Sequence, residues 1–267
     1  MTSAILAENL GKTYARRKRS EGFWPGLRAY FSWERELVTA VQELSFRIER
    51  GESVGLIGEN GAGKSTTVKM LTGILVPTAG RIETLGVVPH AERRRLSQNI
   101  GVVFGQKPQI LWDIPARDSF RLLKAMYGVP DDVFRFTYTE AVERLELGPF
   151  IDTPVRLLSL GQRMRCDLAA ALLHAPAVAF LDEPTIGLDV LVKERVREHL
   201  VEMRRRFGTT IVLTTHDLKD ISATCERLLV LDRGQLLYDG SRAGFEARYA
   251  EGRTLTVALE GEADAAA

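Results

Sequence analysis

The stretch "SVGLIGENGAGKSTTVKML", Ser53 to Leu71, sets a short apolar run, a glycine-rich loop and a helical pattern end to end. Val54, Leu56 and Ile57 read as a buried strand, and Val68, Leu71 and Leu75 recur at helical spacing until Pro77 ends the run. Between them, Gly58 to Thr66 fit G-x-x-x-x-G-K-[ST] in the strand-loop-helix setting that gives that pattern its meaning. Gly58, Gly61 and Gly63 let the loop, with Glu59, Asn60 and Ala62, turn its N–H groups toward phosphate oxygens, and the helix start behind adds a favourable dipole. Lys64 supplies a cation for the β and γ phosphates, and the hydroxyl of Ser65, next to Thr66, is a ligand for Mg²⁺.

Upstream, Leu44, Phe46 and Ile48 alternate with polar residues as a half-buried strand, and Arg50-Gly51-Glu52 turns the chain into the apolar run. Downstream, "AVAFLD" and "TIVLTTH" are continuous apolar strands, each preceded by a helical pattern, so the fold class is α/β with a mostly parallel sheet covered by helices. The first of these strands ends in Asp182 and Glu183: Asp182 is placed to hold Mg²⁺ through water, leaving Glu183 to polarise an attacking water. Between Pro115 and Arg156 the pattern is helix alone, "ARDSFRLLKAMYGV" and "YTEAVERLELG", which predicts a helical insertion within the α/β core.

Bulk composition narrows the function classes. Lys plus Arg total 36 against 35 for Asp plus Glu, so the net charge of +1 gives no global argument for nucleic-acid binding. Cys166 and Cys225 stand apart, without metal-ligand spacing, which speaks against a disulfide framework or zinc site. No apolar run is long enough to span a bilayer and "MTSAILAENLGKTY" lacks a leader pattern, so the chain is expected to be neither secreted nor integral to a membrane. His90 and His174 read as surface or packing residues, and the triplets Arg93 to Arg95 and Arg204 to Arg206 as solvated helix faces.

The segment "LLSLGQRMRCDLAAALLHAPAVAFLDEPTIGLD", Leu157 to Asp189, resembles the corresponding region of the ATP-binding subunits of ATP-binding-cassette (ABC) transporters, and the resemblance extends from about Ile5 to Gly240. Ser159, Leu160, Gly161 and Gln162 resemble the family's LSGGQ signature, Asp189 closes its D-loop, His216 stands at its switch histidine and Gln106 at its Q-loop glutamine. The resemblance implies a P-loop NTPase core with an antiparallel β subdomain at the N-terminus and a helical subdomain at about 115–157, in a domain of residues 1–240. A short extension with a disordered tail, 241–267, would follow. It also implies ATP and Mg²⁺ as cofactors and two copies meeting head to tail, with ATP on Gly58 to Thr66 of one closed over by Ser159, Gly161 and Gln162 of the other. Glu183 and His216 would be catalytic, and Ser65, Gln106 and Asp182 would serve the metal. Two departures stand out: Leu160 replaces the first glycine of the signature, implying altered packing, and Gly105 is an extra residue just before Gln106.

Tyr14 in "GKTY" resembles the family's adenine-stacking aromatic, with a core tyrosine as the alternative reading. It lies farther ahead of Gly58 than the family pattern requires, so "ARRKRSEGFWPGLRAYFSW" is expected as a loop insertion at about 15–35. Its aromatics Phe23, Trp24, Tyr30, Phe31 and Trp33 point equally to lipid, to a partner or to the domain's own surface. One P-loop, no heptad array and no zinc cysteines favour a transporter subunit over a soluble nucleic-acid or ribosome ATPase. A separately encoded transmembrane permease and the cytoplasmic membrane face follow from that reading, and "KMLTGILVPTAGRIETLG", "EPTIGLD" and the ending "ERLLVLDRGQLLYDG" resemble drug or polysaccharide exporter subunits rather than importer ones.

Overall fold

The computed structural model describes residues 3–17, 35–104, 108–215 and 217–249. The strand read from the decisive stretch is β3 (Ser53–Gly58), and the glycine loop delivers the chain into α1 (Lys64–Leu71). The helix stops short of Pro77, because the Thr72 hydroxyl turns back to the Val68 carbonyl (2.9 Å) and Gly73 follows in a left-handed turn (φ 74°). Leu75 packs against the core from a loop instead.

Six strands form the central sheet in the order β5 (Ile100–Phe104), β6 (Val178–Asp182), β7 (Thr210–Thr214), β3, β8 (Arg227–Asp232) and β9 (Gln235–Ser241). All neighbours are parallel except β9, which pairs antiparallel with β8. A second, antiparallel sheet has the order β2 (Arg35–Glu49), β1 (Ser3–Arg17), β4 (Ala79–Thr84). Both faces of the central sheet are buried, which is why its strands read as unbroken apolar runs. Val178 and Phe180 of β6 face a core shared with the antiparallel sheet and α1, while Ala179 and Leu181 face a core built on helices.

On the side of the antiparallel sheet, α2 (Arg93–Ser97) adds Leu96 to the first core; the helices of the second are α3 (Ala116–Tyr127) and α4 (Asp131–Arg144), within the stretch expected to be helical, and α5 (Leu160–Leu172), reached through a 3₁₀ turn at Val155–Leu157. The set closes with α6 (Val190–Phe207), α7 (Leu218–Thr224) and α8 (Arg242–Tyr249). Pro115 and Pro130 precede α3 and α4, and Gly128 ends α3 at φ 61°.

Two boundaries differ from expectation. β1 continues through Arg17 and β2 starts at Arg35, pairing Ala15 with Leu37, Arg16 with Glu36 and Arg17 with Arg35, so the strands take the ends of the expected 15–35 loop. The aromatics from Phe23 to Trp33 lie outside the described residues. Within the expected C-terminal extension, α8 forms because Phe245 and Tyr249 pack on Tyr238 of β9, at ring separations of 5.2 and 6.2 Å; the rest of that extension lies outside the described residues.

Candidate nucleotide site

The loop Gly58–Gly63 wraps the start of α1. Gly63 is the helix N-cap at φ 101°, and a Cβ there would stand 2.7 Å from the Ala40 carbonyl, so only glycine fits both the conformation and the approach. A Cβ on Gly58 would fall 2.2 Å from the Leu231 carbonyl of β8, which is how the loop sits flush on the sheet edge. The Lys64 ammonium donates to the carbonyls of Gly58 (2.6 Å) and Glu59 (2.9 Å), fixing a positive charge inside the loop.

This loop floors a cleft of about 980 Å³ lined by Asn60, Gly61, Gly63, Lys64, Ser65 and Thr66 on one side and by Asp182 and Glu183 on another. The carboxylates arrive there because β6 ends beside β7, whose Thr214 ties them down: its hydroxyl donates to Asp182 Oδ1, and Glu183 N donates to the Thr214 carbonyl (2.9 Å) and hydroxyl oxygen (3.2 Å). Glu183 adopts φ 53°, a left-handed backbone costly for a non-glycine residue and held here by those bonds. Ser65 and Asp182 put a hydroxyl and a carboxylate on the same cleft, the hard oxygen donors that suit Mg²⁺ beside phosphate. Among the described residues no group of three His, Cys, Asp or Glu is arranged to hold a metal.

At the far end Tyr14 lines the cleft, its ring beneath the Lys12 ammonium (5.4 Å), with Val38 and Ala40 of β2 beside it. Tyr14 pairs directly with Val38 across the antiparallel sheet and stays partly exposed, so it is not a core tyrosine. Sequence reading missed Val38, Ala40 and Phe104, which belong to no local motif, and passed over Ile186 within the stretch that ends at Asp189. Gln106 and His216 lie outside the described residues.

The signature residues form a separate structure. Ser159 caps α5 in a reciprocal box: Gln162 N donates to Ser159 Oγ (3.2 Å) and Ser159 N donates to Gln162 Oε1 (2.9 Å). Asp189 caps α6 by accepting from Val192 N (2.9 Å). Leu160, more than half exposed, is the one signature residue that also lines the cleft. The two caps interlock: a Cβ on Gly187 would meet Leu160 Cδ2 at 3.3 Å, and one on Gly161 would meet Leu188 Cδ2 at 3.3 Å, so each leucine covers the other segment's glycine.

Buried titratable groups lie farther along the two capped helices and just past the end of the first. Asp167 of α5 accepts from the backbone N–H of Gln109 (2.7 Å), and burial pushes its carboxyl up to about 6. His174 stacks on Tyr127 (4.1 Å) and meets the Ile100 carbonyl (3.1 Å), a packing residue as expected, and burial holds it down at about 4. Burial, with Arg144 nearby, does the same to His199 of α6. Arg93 to Arg95 are exposed on α2 as expected, whereas the second triplet is more engaged: Arg204 binds Glu226 (2.9 Å) and the Gly51 carbonyl (2.7 Å), and Arg206 lies over Phe136 (5.3 Å).

Residues 41–186 match the family described as ABC transporter. The methionine import ATP-binding protein MetN of Geobacillus kaustophilus is 35% identical over 76% of this chain and 60% of its own length. The Nod factor export ATP-binding protein I of Ralstonia nicotianae is 36% identical over 76% of this chain and 62% of its own length. The chain therefore spans about three fifths of each of these two relatives. A solved dimer of the ATP-binding cassette MJ0796, in a post-hydrolysis state bound to ADP and Pi, superposes with a TM-score of 0.73 at 25% identity, covering 89% of this chain and 98% of that one.

Proposed function

The chain belongs to the ABC transporter family as an ATP-binding subunit, and on that premise we propose that it hydrolyses ATP to power export through a separately encoded transmembrane partner. The observation that carries the reading is the single cleft joining Tyr14, the Lys64 loop and the Asp182–Glu183 pair. Tyr14 stacks on adenine, the loop amides and Lys64 hold the phosphates, and Glu183 takes a proton from water as that water attacks the γ-phosphorus. The bond from the γ-phosphorus to the bridging oxygen breaks, releasing ADP and phosphate. Mg²⁺, held by Ser65 and Asp182 with Gln106, would neutralise charge on the phosphates. His216 contacts the γ-phosphate.

A second copy closes the site with its Ser159, Gly161 and Gln162, as the dimeric form of the MJ0796 cassette suggests by likeness. Loss of the γ-phosphate then removes the charge both halves share, and the pair opens. The subunit sits on the cytoplasmic face of the membrane, consistent with the absence, among the described residues, of any helix long and apolar enough to cross it. Export rests on the likeness to the Nod factor export subunit; the similarity to MetN supports the subunit role but not the direction.

Glu183→Gln tests the chemistry. Turnover should fall at least about 100-fold while ATP still binds, and an ATP-dependent dimer should accumulate in size-exclusion chromatography. A variant that hydrolyses ATP at the parent rate removes Glu183 as the base. ATPase activity stimulated by nucleic acid or ribosomes would overturn the transporter reading.

A further inference from the structure

The two loops that follow Asp182 and Thr214 leave neighbouring strands, β6 and β7, and the first brings Glu183 to the cleft. Both are anchored below it on one buried carboxylate. Asp220 of α7 is 1% exposed, and its Oδ2 accepts from the hydroxyls of Thr185 (2.5 Å) and Thr215 (3.2 Å). Thr185 stands two positions after Glu183, and Thr215 one position before His216. The Thr215 hydroxyl also accepts from Asp217 N (3.0 Å), so it clasps the chain on both sides of position 216.

The other oxygen, Asp220 Oδ1, takes two donors from the buried Arg197 guanidinium, Nε at 2.8 Å and Nη2 at 2.6 Å. Arg197 belongs to α6, the helix that Asp189 caps, and its remaining arm donates to Glu194 (2.8 Å). Beside it, Lys193 pairs with Asp217 (2.8 Å). A buried ion pair is weak evidence for stability, since apolar residues of the same shape often do as well. Its cost is tolerated where it fixes one arrangement of the groups bonded to it. Here those groups are three: the loop after Asp182, the loop after β7 and the helix after Asp189.

We propose that Asp220 is a positioning residue for hydrolysis, holding through Thr185 the loop that carries Glu183 and through Thr215 the turn that follows β7, with Arg197 setting the carboxylate between them. The proposal rests on the reading of Glu183 as the base. Removing Asp220 outright would unpair Arg197 in the core and threaten folding, so the test removes the hydroxyls and leaves the ion pair whole. In the full chain, Thr185→Val with Thr215→Val should keep its cooperative thermal unfolding and bind a fluorescent ATP analogue within about twofold of the parent. Its kcat should fall roughly 10- to 100-fold, the scale of a small misplacement of reacting groups. Thr185→Ser with Thr215→Ser, which restores both hydroxyls, should recover most of that rate. If the valine pair turns over at the parent kcat while Glu183→Gln is inactive, the positioning role is wrong and the base assignment stands. If Glu183→Gln turns over at the parent rate, the base assignment fails, and the inference built on it fails too.

Discussion

The two ends of the nucleotide machinery spend their polar groups differently. At the P-loop end, Lys64, Ser65, Asp182 and Glu183 face a common cleft, brought there by one loop and one strand end. At the signature end, Ser159, Gln162 and Asp189 bond to their own helices as caps. The first end is a site within a single chain. The second is a pair of rigid helix starts that can present a fixed surface to another molecule, and its chemistry depends on what meets it.

Four substitutions probe that contrast. Lys64→Ala, at the self-contained end, should weaken ATP binding at least about 100-fold, the loss of a buried charge-assisted contact to phosphate, measurable by titration with a fluorescent nucleotide. Binding that survives unchanged would mean the cleft is not the primary site.

Acid should act on the two capped helices. In the unfolded chain a histidine protonates near 6.5, but buried His174 and His199, on or just after the two capped helices, do so only near 4. Their contribution to stability is therefore complete above pH 6.5 and is lost as pH falls through 4, by up to about 3 kcal/mol for each. His199→Leu should remove its share, so that the variant's Tm gains on the parent's between pH 7 and 4.5. A constant difference across that range would show that His199 does not carry the sensitivity.

Tyr14→Ala should cost about tenfold in ATP affinity, near the low end for an aromatic stacked on a base, and should cost less for a nucleotide lacking a planar base. Equal losses for both would deny the stacking role. The smallest effect belongs to Ser159→Ala. Loss of the cap should destabilise the chain by about 1 kcal/mol, leaving ATP affinity of the single chain unchanged while ATP-driven pairing weakens. Reduced affinity of the isolated chain would erase the distinction between the two ends.

Much of this was legible in the sequence, for a physical reason. The glycine loop, Asp182–Glu183 and the signature are local patterns, in which the chemistry requires certain residue types at fixed spacing. What stayed hidden depends on distant pairing. Val38 and Ala40 reach the cleft only through register with β1, and Thr214 holds the Asp182 carboxylate and the Glu183 backbone only because β7 lies beside β6. Asp220 gathers partners from positions 185, 197 and 215, which no local spacing connects. The strand ends at Arg16, Arg17 and Arg35 were misread because charged residues carry no apolar alternation, although an edge of paired backbone tolerates them well.

The interlock of Leu160 and Leu188 over Gly187 and Gly161 bears on how this gene could be edited or could drift. Restoring the family's glycine at position 160 is not a repair in this chain. It would remove the leucine that now covers Gly187, and Gly187, held at φ 75°, is a strained position for a side chain to take its place. Positions 160 and 187 are therefore coupled by direct contact, so that an edit at one is to be made and measured together with the other.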